Sequence, residues 1–377
     1  MLTTIRIQDF RSIRDTSVKL GKVSLFIGPN NSGKSNFMKG IALMAKCIQM
    51  HPSLALNPDV FASLVPRNLY IQNIQVPIRF VIETKQYVDK AISLIIGYDY
   101  DIVNEGRVDF RQEIVVLNNA KEMHKFSGYV DQYYSDPDED MYRPSDEVIG
   151  LKSEIFNLVV YRIEPSSFAL SVGLSHQERL SSSGKNIVNF LYNLGQNHKS
   201  RYRQLEKDFS KCVGSLVSIS TPADPSEPGK LKLKFFDEDD ISYWAEEVSE
   251  GVLYFLALLC IVHQPSPPKL LLLEEPEKGI HPRRIKEVMN FIFDLARLRD
   301  IQIVLTSHSP YVVDHFADIP ECISVFDREN GETVVHNAAD IIEQTNQEYK
   351  EQGLPLTKYT DSLGEHWVSG FLGGVPR

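Results

Sequence analysis

An α/β fold is predicted by three observations in the 377-residue chain. A β-rich apolar run, Val23-Ser24-Leu25-Phe26-Ile27, leads through a glycine-containing loop into a stretch of helical character from Lys34 to Gln49. A four-leucine run, Leu270 to Leu273, ends in Glu274-Glu275, and a second apolar run, Ile301 to Leu305, ends in Thr306-Ser307-His308-Ser309-Pro310. Strands that are apolar at every position are those of a sheet covered on both faces, and open sheets of that kind place ligands at the C-terminal ends of their strands.

Composition narrows the class further. The chain is 42% hydrophobic, enough for a substantial core. No run approaches the roughly 18 consecutive apolar residues of a membrane helix, and Met1 to Phe10 lacks a basic start followed by an apolar segment. The expectation is a soluble, cytoplasmic protein with no membrane partner. Cys47, Cys212, Cys260 and Cys322 lie far apart without paired spacing, which argues against a disulfide framework and against a cysteine-rich zinc site. Forty Lys and Arg against 50 Asp and Glu leave a net charge of -10, so a globally basic nucleic-acid binder is not expected.

Three blocks follow along the chain. Residues 1–50 read as strand, loop and helix, opening with the alternating strand Thr4 to Phe10. Residues 51–215 read as an elaborated β region, with strands at Pro77 to Thr84, Ala91 to Tyr98, Asp109 to Leu117 and Asn157 to Ile163. Within this block the acidic Tyr129 to Glu147 segment reads as a surface excursion, and Gly184 to Val213 as a helical pair resting on the β region. Residues 216–377 hold the remaining motifs. There, Leu231 to Phe236 and Ile241 to Trp244 flank Asp237-Glu238-Asp239-Asp240. Four adjacent carboxylates suggest a metal-dependent nuclease, but a hairpin turn accounts for them better, since they cannot all face one ion.

The loop Gly28-Pro29-Asn30-Asn31-Ser32-Gly33-Lys34-Ser35 fits the phosphate-binding pattern in full and stands between a strand and a helix, as that pattern requires. Its glycines let backbone N–H groups face phosphate oxygens, Lys34 neutralises the β- and γ-phosphates, and Ser35 is suited to magnesium. Asn30, Asn31, Ser32, Gly33 and Asn36 complete the nucleotide-binding set. Glu274 is assigned to the magnesium shell, Glu275 to polarising water, and His308 to the γ-phosphate or that water. Ser249 reads as the N-cap of the apolar helix near Val252 to Val262, with Gly251 leaving amides open at the positive helix end. The same spot suits the γ-phosphate held by a second copy of the chain.

These four stretches, in this order, resemble an ATPase of the ATP-binding-cassette type, of the OLD, RecF and SMC kind, and especially the small bacterial AAA-type relatives of OLD proteins. The opening Ile5-Arg6-Ile7-Gln8-Asp9-Phe10-Arg11-Ser12-Ile13 resembles the family's first strand, where an arginine, here Arg11, approaches the nucleotide. Leu273-Glu274-Glu275-Pro276-Glu277 through His281-Pro282 resembles its Walker B stretch, Thr306 to Pro310 its switch-histidine loop, and Ser249-Glu250-Gly251 an abbreviated signature. Glu274 replaces the commoner Asp and Gly279 to Pro282 takes the place of the D-loop, while no Q-loop glutamine is placed, Tyr161-Arg162-Ile163-Glu164-Pro165 being the sort of strand end that could substitute. No coiled-coil insertion fits, and the 69 residues after His308 are too few for a Toprim nuclease.

The resemblance implies an ABC-type P-loop NTPase head with mixed β-sheets and a helical subdomain, using ATP and Mg2+. It also implies a homodimer or higher homo-oligomer, with copies paired head to tail and nucleotide between Lys34 of one copy and Ser249 of the other. The expected role is an ATP-hydrolysing regulatory subunit of an antiphage defence system acting on a separately encoded effector. The alternative is a RecF-like DNA-binding repair ATPase, contacting DNA through His198 to Arg203 and Arg283 to Lys286.

Overall fold

A computed structural model describes residues 1–49, 63–64, 78–85, 90–101, 107–118, 121–129, 146–155, 158–353, 359 and 362–375. The acidic excursion expected between Tyr129 and Glu147 lies almost wholly outside the described residues. The chain is mixed α/β and divides into two compact units, Met1–Leu158 with Phe316–Arg377, and Val159–His315.

In the first unit, the strands Leu2–Phe10 and Ile13–Lys19 form a hairpin with Phe10 opposite Ile13, so Arg11 and Ser12 make its tip. Leu2–Phe10 also pairs with Ile78–Thr84, and the antiparallel order continues through Lys90–Asp101, Arg107–Asn118 and Lys121–Tyr129. The elaborated β region is therefore an extension of the first strand's own sheet. Val23–Ile27 runs parallel to Ile323–Glu329, which turns back antiparallel as Glu332–Asn337.

Every residue of Val23–Ile27 is buried, and Phe26 packs against Phe37 of the following helix and against Phe326, with ring centroids 5.7 and 5.0 Å away. Phe37 and Phe326 close the triangle at 5.8 Å. Each such aromatic pair adds about 0.5–1.5 kcal/mol beyond its buried area, so strand, helix and the C-terminal hairpin are joined directly beneath the phosphate loop. The helix Lys34–Gln49 approaches the first strand closely at Gly40, where a Cβ would lie 2.7 Å from Ile7 Cδ1.

In the second unit, Leu270–Glu274 runs parallel to Gln302–Thr306 on one side and to Val160–Tyr161 on the other, with Glu274 opposite Thr306 and Leu273 opposite Tyr161. All four leucines are buried. Asn157 lies outside the described residues, and the rest of the strand foreseen up to Ile163 shrinks to Val160–Tyr161, because 158 and 159 have no strand partner among the described residues and Arg162 bonds Ser182 instead.

The helices Ile187–Asn197 and Lys199–Val213 form the anticipated pair, but they belong to this second unit and not with the antiparallel β region. Tyr202 OH donates to the Ile219 carbonyl at 2.6 Å, and Phe209 stacks on Phe235 at 5.7 Å, which ties the pair to the small sheet of Ser218–Ser220, Lys234–Phe236 and Ser242–Trp244. Lys232-Leu233 interrupts the single strand expected from Leu231 to Phe236. The acidic run is a turn: Asp237 accepts the N–H groups of Asp239 and Ile241 and the Tyr243 hydroxyl, and Asp240 takes a φ of 60°.

Candidate nucleotide site

The phosphate loop is built by close packing as much as by sequence pattern. Gly28 has φ 141°, and a Cβ there would lie 2.1 Å from the Phe326 carbonyl oxygen, so no other residue fits. Gly33, at φ 111°, faces Thr333 just as closely, with Oγ1 only 2.2 Å from an added Cβ. Asn31 takes the left-handed φ of 66°, completing a turn whose tip, Asn30 and Asn31, is exposed. The helix begins with Phe37 N–H donating to the Gly33 carbonyl at 2.8 Å, and its first turn carries no acidic residue to oppose an anion.

Lys34 is 6% exposed, and its Nζ donates to the carbonyls of Gly28 and Pro29 at 2.7 and 2.8 Å. A buried ammonium thus stands inside the loop. Ser32 is fully buried and its Oγ has no hydrogen-bond partner among the described residues, while Ser35 is exposed at the helix start. An orphaned hydroxyl, a buried cation and glycines that exclude Cβ atoms form a donor set suited to phosphate oxygens. Arg11, at φ 54°, donates from Nη1 to Asn36 Oδ1 at 3.2 Å, and its Nε is buried without a partner among the described residues. The hairpin tip and the loop helix are thereby joined.

The second unit carries the acids. Glu275 takes a left-handed φ of 48°, a strained backbone for a side chain of its size. Its N–H is held by the Thr306 carbonyl at 3.1 Å and by Thr306 Oγ1 at 3.2 Å. The carboxylate lies 3.9 Å from His308 Nε2 through Oε1 and 3.9 Å from Arg162 Nη2 through Oε2. Glu274 has a buried Oε1 with no partner among the described residues, the acceptor expected of a group that holds a cation. The unpartnered Glu274 oxygen thus has the chemistry of a hard-cation ligand.

Glu277 and Arg162 were not singled out by motif reading. Glu277 Oε1 accepts the Ser307 hydroxyl at 2.6 Å and the His308 N–H at 3.1 Å. Burial pushes its carboxyl above the ordinary range. The sequence signal was present in both cases: Glu277 is the second acid of the E-P-E stretch, and Arg162 sits at a strand end.

The signature region differs from its expected form. Ser249 occupies the N-cap position of Glu250–Val262, yet its hydroxyl makes no capping bond and accepts from Arg284 Nη1 at 2.8 Å. Gly251 is buried beneath Arg284, whose Cδ lies 3.8 Å from where a Cβ would be, so the helix end is not open as anticipated. The Val252 N–H, which a capping hydroxyl would otherwise take, donates to the Ser249 carbonyl at 3.0 Å. Gly279, at φ 79°, leaves room for Glu250 Oε2, which an added Cβ would approach to 2.5 Å.

The structure therefore brings Arg11, Asn30, Asn31, Ser32, Gly33, Lys34, Ser35 and Asn36 into the first unit, and Ser249, Gly251, Glu274, Glu275 and His308 into the second. Of the two basic stretches, Arg283 and Lys286 are exposed, while Arg284 is held by Ser249 and Arg201 donates to the Gln264 carbonyl at 3.2 Å. Among the described residues no helix is long and apolar enough to cross a membrane.

A protein-family profile described as "AAA domain, putative AbiEii toxin, Type IV TA system" matches residues 23–314. The Old nuclease of Escherichia phage P2 is 22% identical over 338 residues, 82% of this chain and 56% of the nuclease. The energy-coupling factor transporter ATP-binding protein EcfA2 of Geobacillus kaustophilus is 28% identical over 124 residues, 32% of this chain and 41% of that protein. The chain thus spans about half the length of the curated relatives it matches. Among solved structures, the SMC head domain from Thermotoga maritima is similar at 11% identity and a TM-score of 0.48, covering 89% of this chain and 98% of that one. The Old nuclease and the transporter ATP-binding protein are of the kinds that the motifs resemble.

Proposed function

The chain belongs to the AAA-domain family whose profile spans residues 23–314, and from that premise we propose that it binds and hydrolyses ATP as a nucleotide-driven switch. The observation that carries this reading is the buried Lys34 ammonium inside a loop whose glycines admit no Cβ. Lys34 and the loop N–H groups take the triphosphate, with Arg11 directed to it through Asn36. Ser35 on the first unit and Glu274 on the second each offer magnesium an oxygen ligand, and the ion when bound would supply charge neutralisation of the phosphates.

Glu275 accepts the proton of the attacking water. Its strained backbone, pinned by Thr306, fixes the carboxylate before substrate arrives, and His308 and Arg162 flank its two oxygens. Ser249 and Gly251 serve the nucleotide of a second copy, so binding closes a homodimer and hydrolysis reopens it. In that state Arg284 must share or release the Ser249 hydroxyl.

The biological role we propose is regulation of a separately encoded effector in antiphage defence. It draws support from the toxin–antitoxin wording of the family description and from a phage nuclease among the relatives. Phosphate release from ATP by the wild type, abolished in Lys34→Ala, tests the catalytic reading. Co-purification with the product of a neighbouring gene tests the regulatory one. ATP-dependent, salt-sensitive DNA binding without such a partner would favour the RecF-like alternative.

A further inference from the structure

Thr333 lies on the strand Glu332–Asn337, far in sequence from every motif above, and is 4% exposed. Its N–H donates to the Ser12 carbonyl at 2.9 Å, and its Oγ1 shares a hydrogen bond with Ser12 Oγ at 2.9 Å. Ser12 Oγ also accepts from Asn36 Nδ2 at 3.0 Å, and the other end of that amide accepts from Arg11. The same threonine forms the wall against Gly33, with Oγ1 at 2.2 Å and Cγ2 at 2.8 Å from the position of an added Cβ. Its carbonyl receives the Thr16 hydroxyl at 3.3 Å, which fixes the strand to the opening hairpin.

We propose that Thr333 is a positioning residue for nucleotide binding, resting on the ATP-binding reading above. One face of its side chain confines Gly33, the residue before Lys34. The hydroxyl holds Ser12, through which Asn36 and Arg11 are oriented. The loop and the arginine that approaches the phosphates are thus set by one buried side chain on a C-terminal strand.

Thr333→Val keeps the shape and removes the hydroxyl, whereas Thr333→Ser keeps the hydroxyl. With MgATP, Thr333→Val should raise KM about fivefold, the weight of one hydrogen bond, with kcat within about twofold of wild type. Thr333→Ser should restore the wild-type KM. Thr333→Val combined with Ser12→Ala should cost less than the sum of the two alone, since both break one bond.

A wild-type KM in Thr333→Val overturns the proposal. So does equal impairment of the serine and valine variants, which would leave the hydroxyl with no effect of its own, or a fall in thermal midpoint with KM unchanged, which would make the residue structural. A wild-type protein that binds no ATP overturns the nucleotide reading itself, and this inference with it.

Discussion

Glu277 receives the backbone N–H of His308 at 3.1 Å, so a carboxylate two residues past Glu275 fixes the loop that carries the histidine facing Glu275. With Ser307 bonded to the same oxygen, and Ser309 N–H donating to Ser307 Oγ at 2.9 Å, the loop after Gln302–Thr306 hangs on this one side chain. Glu277→Ala should release it, costing about 1–3 kcal/mol of stability and about tenfold in kcat with little change in KM. Glu277→Gln, whose amide oxygen still accepts both donors, should retain most of the rate. Steady-state phosphate release and chemical denaturation of both variants decide this.

Glu275→Gln keeps the side-chain shape and removes the proposed base. ATP binding should persist while turnover falls about 10²- to 10⁴-fold. Light scattering should then show an ATP-dependent dimer that outlasts that of the wild type. Turnover at the wild-type rate would mean that another group takes the proton.

Much of this geometry was legible in the sequence because it is local. The helix Lys34–Gln49 starts where the loop pattern ends, and the leucines of Leu270–Glu274 announce a strand covered on both faces. The strand Lys121–Tyr129 escaped notice because its polar residues show no apolar alternation, and its pairing with Arg107–Asn118 alone defines it. The contacts of Arg162, Glu277 and Thr333 escaped for a different reason. Each acts on a partner that only folding brings near, as Ser12 meets Thr333 across 321 positions. Ser249 shows the same limit: its N-cap position was readable, but its competitor, Arg284, is 35 residues on.

His263 is buried beside Asp208, at 3.1 Å, and Arg299, at 3.1 Å, at the junction of the helices Lys199–Val213 and Glu250–Val262. Burial lowers its pKa, and the nearby Arg299 and Arg201 add to this, while Asp208 opposes them. A base held below its unfolded pKa contributes stability that is present above about pH 6.5 and is lost as pH falls toward the folded value. Denaturant unfolding of the wild type should therefore weaken between about pH 7.5 and 5.5 more than that of His263→Gln. Parallel slopes for the two proteins would remove His263 from the account.

Gly373 and Gly374 separate strain from crowding at the phosphate loop. Both have left-handed φ, 69° and 63°, so alanine at either carries a backbone penalty of about 1–2 kcal/mol. At Gly373 nothing lies within 4 Å of the added Cβ, and the cost should end there. At Gly374 the Cβ would meet Val325 Cγ1 at 2.7 Å, the Phe326 carbonyl at 3.2 Å and Gly28 Cα at 3.3 Å. The Phe326 carbonyl is the same oxygen that excludes a Cβ from Gly28, so an added Cβ on the C-terminal segment would crowd the first residue of the phosphate loop. Gly374→Ala should consequently lower the thermal midpoint further than Gly373→Ala and weaken ATP binding as well. Equal affinities in the two variants, measured by titration with a fluorescent ATP analogue, would show that the contact with Gly28 does not reach the nucleotide.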